Sequence, residues 1–244
     1  MWVVLGLSVV CALLVLPERW SRRVKRGPGQ RAPLFKGTGA HWRRNYGRRS
    51  FLRLGGATLL AGVLAYSGAD EIAESFHADT VRSSATDRLA HVFKVFGERF
   101  WFANWLLIAA IDAWWQSGAI SRWGRANFEA MVVGLPLLWT MQRGLGANRP
   151  SSDDASPRWR PMAAPNSASG HAFIAAVPWL TLAARAGNGS VVGLSRVASW
   201  ATGWSRLNDR KHYVSQIILG WTIAFNAVSA VNEQPAATQE VELS

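Results

Sequence analysis

The sequence predicts an all-α fold, a polytopic bundle of membrane helices, from three observations. Seven apolar runs of 14 to 19 residues recur along the 244 residues of the chain. The chain holds 14 tryptophans, a residue type that concentrates at membrane–water interfaces. Its net charge of +12 is concentrated beside one of the runs. No basic stripe is interleaved with stacking aromatic residues, which argues against a nucleic-acid partner.

The apolar runs set the number of predicted helices. In chain order they cover 2–16, 54–68, 100–115, 128–141, 171–184, 191–204 and 213–231. Several are shorter than the roughly 20 residues that span a bilayer, but flanking Trp, Arg and Lys side chains extend them. Small residues in the second and sixth runs indicate close helix–helix contact rather than lipid exposure. We therefore predict six or seven membrane helices, with seven preferred.

A dense basic segment sets the predicted orientation. Between positions 17 and 53 the basic residues are Arg19, Arg22, Arg23, Lys25, Arg26, Arg31, Lys36, Arg43, Arg44, Arg48, Arg49 and Arg53. By the positive-inside rule this segment is cytoplasmic, so residues 69–98, 144–170 and 205–212 fall on the outer side. The predicted organisation is an N-terminal membrane helix with a basic cytoplasmic linker (1–53), a membrane domain (54–232) and a flexible C-terminal tail (233–244).

Two features near the N-terminus allow other interpretations. The first run has no basic stretch before it and no small-residue cleavage site, which argues against a cleaved signal peptide. The stretch GRRSFLRLGG at 47–56 resembles a twin-arginine export signal. It is not N-terminal, and the basic flank of a membrane helix explains it better. Cys11, the single cysteine, lies in the first run and is expected to pack there.

Residues 69–98 combine mixed charge with apolar residues at helical spacing. This pattern predicts an amphipathic helix on the outer surface. His77 and His91 belong to this segment and are expected at the surface. His41 lies in the basic linker and is expected to be solvated.

The two remaining histidines open helices on the predicted outer side. His171 begins one apolar run and His212 precedes another, and Arg149 and Arg206 lie in the same outer segments. Arginine at membrane depth is costly and marks function, and its fork of donors matches phosphate oxygens. The helix that follows Ser169 adds free backbone N–H groups. These residues predict a site for an anionic substrate with histidine proton chemistry.

We expect no metal or cofactor at this site. The sequence has no HExxH motif and no Cys/His cluster. Asp153 and Asp154, together with the two histidines, form a weaker alternative as zinc ligands.

Three short blocks carry the candidate residues: ANRP at 147–150, SASGH at 167–171 and SRLNDRKH at 205–212. In order and spacing they resemble the three-part signature of the type 2 phosphatidic acid phosphatases, a superfamily that includes the vanadium haloperoxidases. That signature is Lys, six residues, Arg-Pro; then Pro-Ser-Gly-His; then Ser-Arg, five residues, His, three residues, Asp. The resemblance covers roughly residues 85–231. It implies a six-helix core, to which the run at 2–16 adds an extra N-terminal membrane helix.

The resemblance implies a role for each matching residue. His212 is the nucleophile that forms a phosphohistidine, and His171 protonates the leaving oxygen and then activates water. The equatorial phosphate oxygens are held by Arg149, Arg206, Ser169 and the Gly170 amide. The implied activity is that of a metal-independent lipid phosphatase in the inner (plasma) membrane, with its site facing the periplasm or exterior. A lipid-to-lipid phosphotransferase and a non-catalytic phospholipid-binding member are the alternatives.

Three positions depart from the family pattern. The family lysine falls on Gln142, and the adjacent Arg143 restores its charge only if it reaches the phosphate; both are candidate phosphate-binding residues. Ala168 replaces a proline and affects only the turn. The final Asp falls on Gln216, one helical turn after His212, where its carbonyl is able to accept the Nδ1 proton without adding charge.

Gln216 is therefore predicted to be a catalytic residue that orients His212. If orientation is its only role, Gln216→Asp should preserve or raise activity. Asp209 is a weaker alternative partner for His212, because helical geometry does not place it beside the imidazole.

Overall fold

The computed structural model describes residues 24–25, 33–35 and 37–233. The predicted helix at 2–16 with Cys11, the linker positions 17–23, 26–32 and 36, and positions 234–244 of the predicted tail lie outside the described residues. The predictions for those residues therefore stay predictions.

Helices form nearly all the regular structure in the described ranges, which confirms the all-α prediction. The exception is a pair of two-residue antiparallel strands, β1 (Val24–Lys25) and β2 (Gln116–Ser117). The helices are α1 (Thr38–Asn45), α2 (Arg48–Ser67), α3 (Ala69–Phe76), α4 (Ser84–Lys94), α5 (Phe100–Trp114), α6 (Ala119–Leu145), α7 (Gly170–Arg185), α8 (Gly189–Ala198), α9 (Ala201–Asn208) and α10 (Val214–Asn232). A π-helical turn (His77–Val81) precedes α4, and a 3-10 turn (Val95–Gly97) follows it.

The apolar runs predicted most helices in the right places. Five of the runs correspond to α2, α5, α6, α7 and α10. The run at 191–204 is instead divided between α8 and α9, which Ser199 and Trp200 separate. A continuous apolar stretch therefore did not mean a continuous helix at this point.

Two of the described helices, α2 and α10, are long and apolar enough to cross a membrane by length and composition. The helix α5 is apolar but shorter. One face of α2 exposes large apolar side chains, including Leu59 at 75% and Val63 at 63%. Gly55 and Gly56 of this helix also face open space. The prediction of close helix contact is wrong for this face. It is confirmed on the opposite face, where Ala61 and Ala65 are fully buried together with Leu54 against α10.

The helix α10 packs against α2, α6 and α7, and these contacts form the core. Phe173 on α7, Met131 on α6 and Leu219 on α10 are fully buried there. Each large apolar side chain contributes about 1.5–3 kcal/mol on full burial. Gly134 on α6 makes the close approach possible, since a Cβ at this position would lie 2.7 Å from the Phe173 ring.

Hydrogen bonds between helix termini define two ends of the bundle. At the motif end, where α6 ends and α7 and α10 begin, Ser169 N donates to Gln216 O (2.8 Å). At the basic end, where α7 and α10 end, Arg185 Nε donates to Asn232 Oδ1 (2.6 Å). Arg44 Nε donates to Ala230 O (2.7 Å) at the same end. Arginines that the sequence assigns to the cytoplasmic side therefore lie opposite the motif end.

A half-buried ionic cluster fixes the start of α6 at the basic end. The Arg125 guanidinium lies 3.4 Å from Asp112 and 3.0 Å from Glu129. His41 Nδ1 lies 3.4 Å from Glu129, and the His41 side chain is only 15% exposed. The expectation that His41 is solvated is wrong, because α1 packs against α6 and carries the imidazole inward.

The amphipathic segment at 69–98 forms α3, the π-helical turn and α4, and its polar side packs on α9. Its apolar side chains Ile72 (70%) and Phe76 (61%) are exposed. His91 is exposed as predicted. His77 is buried, and its Nε2 accepts a hydrogen bond from Trp204 Nε1 (3.1 Å). The surface expectation for His77 is therefore wrong, because the segment turns this histidine toward α9.

Candidate active site

His212 lies in the loop between α9 and α10, and Gln216 fixes its imidazole. The His212 side chain is buried, and its Nδ1 lies 2.7 Å from Gln216 Oε1. Because an amide oxygen only accepts hydrogen bonds, this contact assigns the proton to Nδ1 and leaves a lone pair on Nε2. The backbone N–H of His212 donates to Arg206 O (3.2 Å), which anchors the loop to the end of α9. The one-turn spacing in the sequence predicted this pair.

Gln216 also joins the three sequence blocks. Its side-chain Nε2 donates to Asn148 O in the first block (2.8 Å). Its backbone oxygen accepts from Ser169 N in the second block. An aspartate side chain has no N–H that could donate to Asn148 O. The amide of Gln216 therefore has a structural role that an aspartate at this position would not have. The prediction that Gln216→Asp preserves activity took account of the contact to His212 alone. Because aspartate would lose the hydrogen bond to Asn148, we now expect this substitution to lower stability and activity.

The electrostatics of His212 favour a neutral imidazole. Burial lowers the pKa of His212 from its ordinary 6.5 to about 3. The hydrogen bond to Gln216 opposes this shift, and the positive charges of Arg149, His171 and Arg206 add to it. Arg149 and Arg206 therefore act on one imidazole together with burial, and this imidazole keeps its Nε2 lone pair at neutral pH.

His171 is the second residue of α7, and Glu98 lies beside it. The His171 Nε2 atom is 3.7 Å from Glu98 Oε1, and this carboxylate is 3.9 Å from Lys94 Nζ. The backbone of Gly97 makes the approach possible, because a Cβ there would lie 2.8 Å from His171 Cβ. Sequence analysis missed Glu98, since nothing in the three blocks indicates which part of the outer segment meets α7.

The two candidate arginines differ in burial. Arg206 is 4% exposed, its guanidinium forms an ion pair with Asp209, and its Nε is buried without a hydrogen-bond partner. Asp209 therefore pairs with Arg206 and not with His212. Arg149 is exposed, and its Nε donates to Asn166 Oδ1 (2.9 Å). The buried, unpaired N–H of Arg206 needs an acceptor, which an anionic ligand would supply.

The start of α7 presents the remaining candidates. Ser169 is fully buried and caps the helix, with its Oγ accepting from Ala172 N (3.3 Å). A Cβ at Gly220 would lie 2.3 Å from Ser169 O, so only glycine lets α10 pass this close. Gln142 Nε2 donates to Ala168 O (2.9 Å) and would lie 3.5 Å from a Cβ at Gly170.

Arg143 stands apart from this group. Its side chain is exposed, and no hydrogen bond or ion pair joins it to another candidate within the described residues. Lys211, which precedes His212, lies near the end of the first block, with its Nζ 3.3 Å from the Oγ of Ser151, the residue that follows this block. Lys211, and not Arg143, therefore contacts a residue next to the first block, and sequence analysis did not select it.

The segment at 69–98 holds the loop of His212 in place. Arg210 adopts a left-handed backbone conformation (φ 54°), which is uncommon for a residue with a side chain. Its Nε donates to Glu74 Oε1 (2.6 Å). Asn208 Nδ2 donates to Asp87 Oδ1 (2.8 Å), and Ser215 N donates to Asp70 Oδ1 (3.0 Å). These contacts join both sides of the loop to residues more than 100 positions earlier in the chain.

No group of three His, Cys, Asp or Glu side chains suited to a metal ion occurs in the part of the chain that the structure describes. The Asp154 carboxylate instead pairs with Arg160 (3.0 Å). The arrangement offers a neutral nucleophilic imidazole, a second imidazole beside a carboxylate, and arginine donors.

Helix termini and hydrogen bonds bring together three blocks that are separated in the sequence. No family model, no curated protein and no solved structure matches the chain.

Proposed function

We propose that the chain is an integral membrane phosphatase that hydrolyses the phosphomonoester or diphosphate of a lipid through a phosphohistidine on His212. The observation that carries this proposal is the contact between His212 Nδ1 and Gln216 Oε1. Gln216 also forms hydrogen bonds to the first and second blocks. The contact leaves Nε2 of His212 unprotonated and fixes this imidazole to the residue that joins the three blocks. The three-part resemblance described above supports the same assignment.

Binding of the phosphate uses donors that lack a partner. The buried Nε of Arg206 gains an acceptor when a phosphate oxygen enters. Arg149 adds a second guanidinium, and the first N–H groups of α7 add donors at the positive end of that helix. Ser169 accepts at Oγ from Ala172, so its hydroxyl hydrogen is left for the ligand.

The chemistry proceeds in two displacements. The Nε2 lone pair of His212 forms a bond to phosphorus while the bond to the leaving oxygen breaks, and His171 transfers its proton to that oxygen. A water molecule then loses a proton to His171 and attacks phosphorus, and the P–N bond breaks to release inorganic phosphate. The Glu98 carboxylate stabilises the cationic form of His171 in both steps. The His171 side chain is 32% exposed, and access of water to it favours hydrolysis over transfer to a second lipid.

The proposed membrane placement puts the motif end on the non-cytoplasmic side. The length and composition of α2 and α10, the exposed apolar face of α2 and the arginines of the basic end support it. A site at the end of a helix bundle is within reach of a phosphate whose lipid lies in the adjacent leaflet. The lipid phosphate is thus the proposed substrate, and membrane lipids are the proposed surroundings.

The proposal is tested by phosphate release and by trapping the intermediate. Purified full-length protein in detergent is given a lipid phosphate labelled at phosphorus, quenched in alkali, and assayed for an acid-labile phosphoprotein. Wild type should release phosphate and form the adduct, and His212→Ala should lose both. His91→Ala is the matched control, because His91 is exposed and lies outside the site. Equal release by wild type and His212→Ala would remove the nucleophile assignment.

A further inference from the structure

A groove at the basic end is lined by four arginines and is separate from the candidate active site. It has a volume of about 220 Å³ and lies between the first turns of α2 and the last turn of α10. Arg44, Arg48, Arg49 and Arg53 line it, and Glu233 is the one carboxylate in the lining. The groove is therefore concave and strongly positive.

The arginines are positioned by contacts that leave most of their donors unused. Arg44 Nε donates to Ala230 O (2.7 Å), which fixes this side chain against the end of α10. The Arg53 guanidinium lies 5.3 Å from the centre of the Phe225 ring. None of the four arginines forms an ion pair with a carboxylate among the described residues. The first turn of α2 contains no acidic residue either, so Glu233 is the one carboxylate among the described lining residues that offsets the charge.

Apolar side chains adjoin the charge on the same turns of α2. Phe51 is 52% exposed and Leu52 is 64% exposed. The apolar face of α2 continues from them through Leu59. A free inorganic anion would not contact these apolar side chains. A phosphate that carries acyl chains would contact both the arginines and the apolar face of α2.

We propose that this groove binds the phosphodiester headgroup of an anionic glycerophospholipid, with the acyl chains along α2. In the orientation given above the lipid belongs to the cytoplasmic leaflet. Because the groove lies at the opposite end from His171 and His212, the bound lipid is not a substrate. The inference does not depend on the phosphatase proposal, and it needs only that α2 lies in a bilayer.

Native mass spectrometry of the full-length protein tests the proposal directly. Protein in detergent is titrated with phosphatidylglycerol or with zwitterionic phosphatidylcholine. Phosphatidylglycerol should remain bound and phosphatidylcholine should not. Arg48→Gln/Arg49→Gln should weaken phosphatidylglycerol binding about 30-fold, because each arginine near an anionic headgroup is worth roughly a factor of five.

Matched variants separate the groove from general charge. Arg43→Gln/Arg88→Gln removes the same charge from two exposed arginines outside the groove and should bind like wild type. Arg48→Lys/Arg49→Lys keeps the charge but loses the guanidinium fork, and an intermediate affinity is expected. His212→Ala should bind phosphatidylglycerol normally, whether or not it has lost phosphatase activity.

Four results would overturn the proposal. The first is that wild type retains phosphatidylglycerol and phosphatidylcholine equally, and the second is that Arg48→Gln/Arg49→Gln and Arg43→Gln/Arg88→Gln lose the same affinity for phosphatidylglycerol. The third is that His212→Ala no longer binds phosphatidylglycerol, and the fourth is that millimolar inorganic phosphate displaces the lipid. The last result would assign the groove to a free anion instead of a lipid.

Discussion

Replacement of Gln216 by aspartate tests whether the amide has a role beyond orienting His212. Gln216 is 1% exposed, with Oε1 at 2.7 Å from His212 Nδ1 and Nε2 at 2.8 Å from Asn148 O. Aspartate is shorter by one C–C bond of about 1.5 Å and carries no N–H. It therefore cannot maintain both contacts.

The magnitude follows from the carbonyl that is left without a donor. An unsatisfied buried polar group costs about 1–3 kcal/mol, a factor of roughly 5 to 150 in an equilibrium constant. For a chain of this size each kcal/mol lowers Tm by about 2–4 °C. Gln216→Asp should thus lose stability by this amount, and kcat should fall as the imidazole loses its fixed position.

Thermal unfolding and phosphate release are the two assays, with Gln216→Glu and Asn226→Asp beside Gln216→Asp. Glutamate keeps the side-chain length and the contact to His212, so it should lose stability but keep more activity than aspartate. Asn226 is fully buried on the same helix and donates to Ser50 O (3.0 Å) far from the site. Asn226→Asp should lower Tm without lowering kcat. A Gln216→Asp protein with wild-type Tm and kcat would refute the role assigned to the bond to Asn148.

Three further predictions concern the histidines and one glycine. Since burial lowers the pKa of His212 to about 3, histidine NMR should show its neutral ring down to about pH 4. Between pH 3 and 6.5 the imidazole of position 212 binds a proton in the unfolded chain but not in the folded one, so the free energy of unfolding should decrease as pH falls through this window. His212→Phe should make this decrease smaller. An unchanged dependence of the unfolding free energy on pH would contradict the prediction. Glu98→Gln should reduce kcat for an alkyl phosphate more than for an aryl phosphate, because the alkoxide is the poorer leaving group and needs protonation by His171. Equal losses of kcat for the two substrates would mean that Glu98 has a purely structural role. Gly220→Ala should lower stability by about 1–3 kcal/mol in chemical denaturation, because its Cβ would lie 2.3 Å from Ser169 O, whereas Gly193→Ala on the open side of α8 should not.

The sequence predicted those parts of the fold and site that depend on local spacing. Apolar runs located α2, α5, α6, α7 and α10, because each run is one helix. The four-residue step from His212 to Gln216 predicted their contact, because one helical turn brings such residues together.

Contacts between distant segments could not be predicted in this way. Glu98 reaches His171 through the packing of the 3-10 turn on α7, and Asn148 meets Gln216 through the end of α6. His77 was expected at the surface because its segment is amphipathic, but the pattern does not say which polar residues face a partner helix. Long-range packing decides these positions, and a single sequence contains no local pattern that records it.

The attachment of the His212 loop to the outer segment has a mechanical consequence. Asp70 and Glu74 hold residues on either side of His212, while Ile72 and Phe76 of the same short helix are exposed. In a bilayer, lateral pressure on those exposed side chains would be transmitted to the imidazole through two carboxylates. Turnover would then respond to how tightly the neighbouring lipids are packed, even though none of them touches the reacting phosphorus.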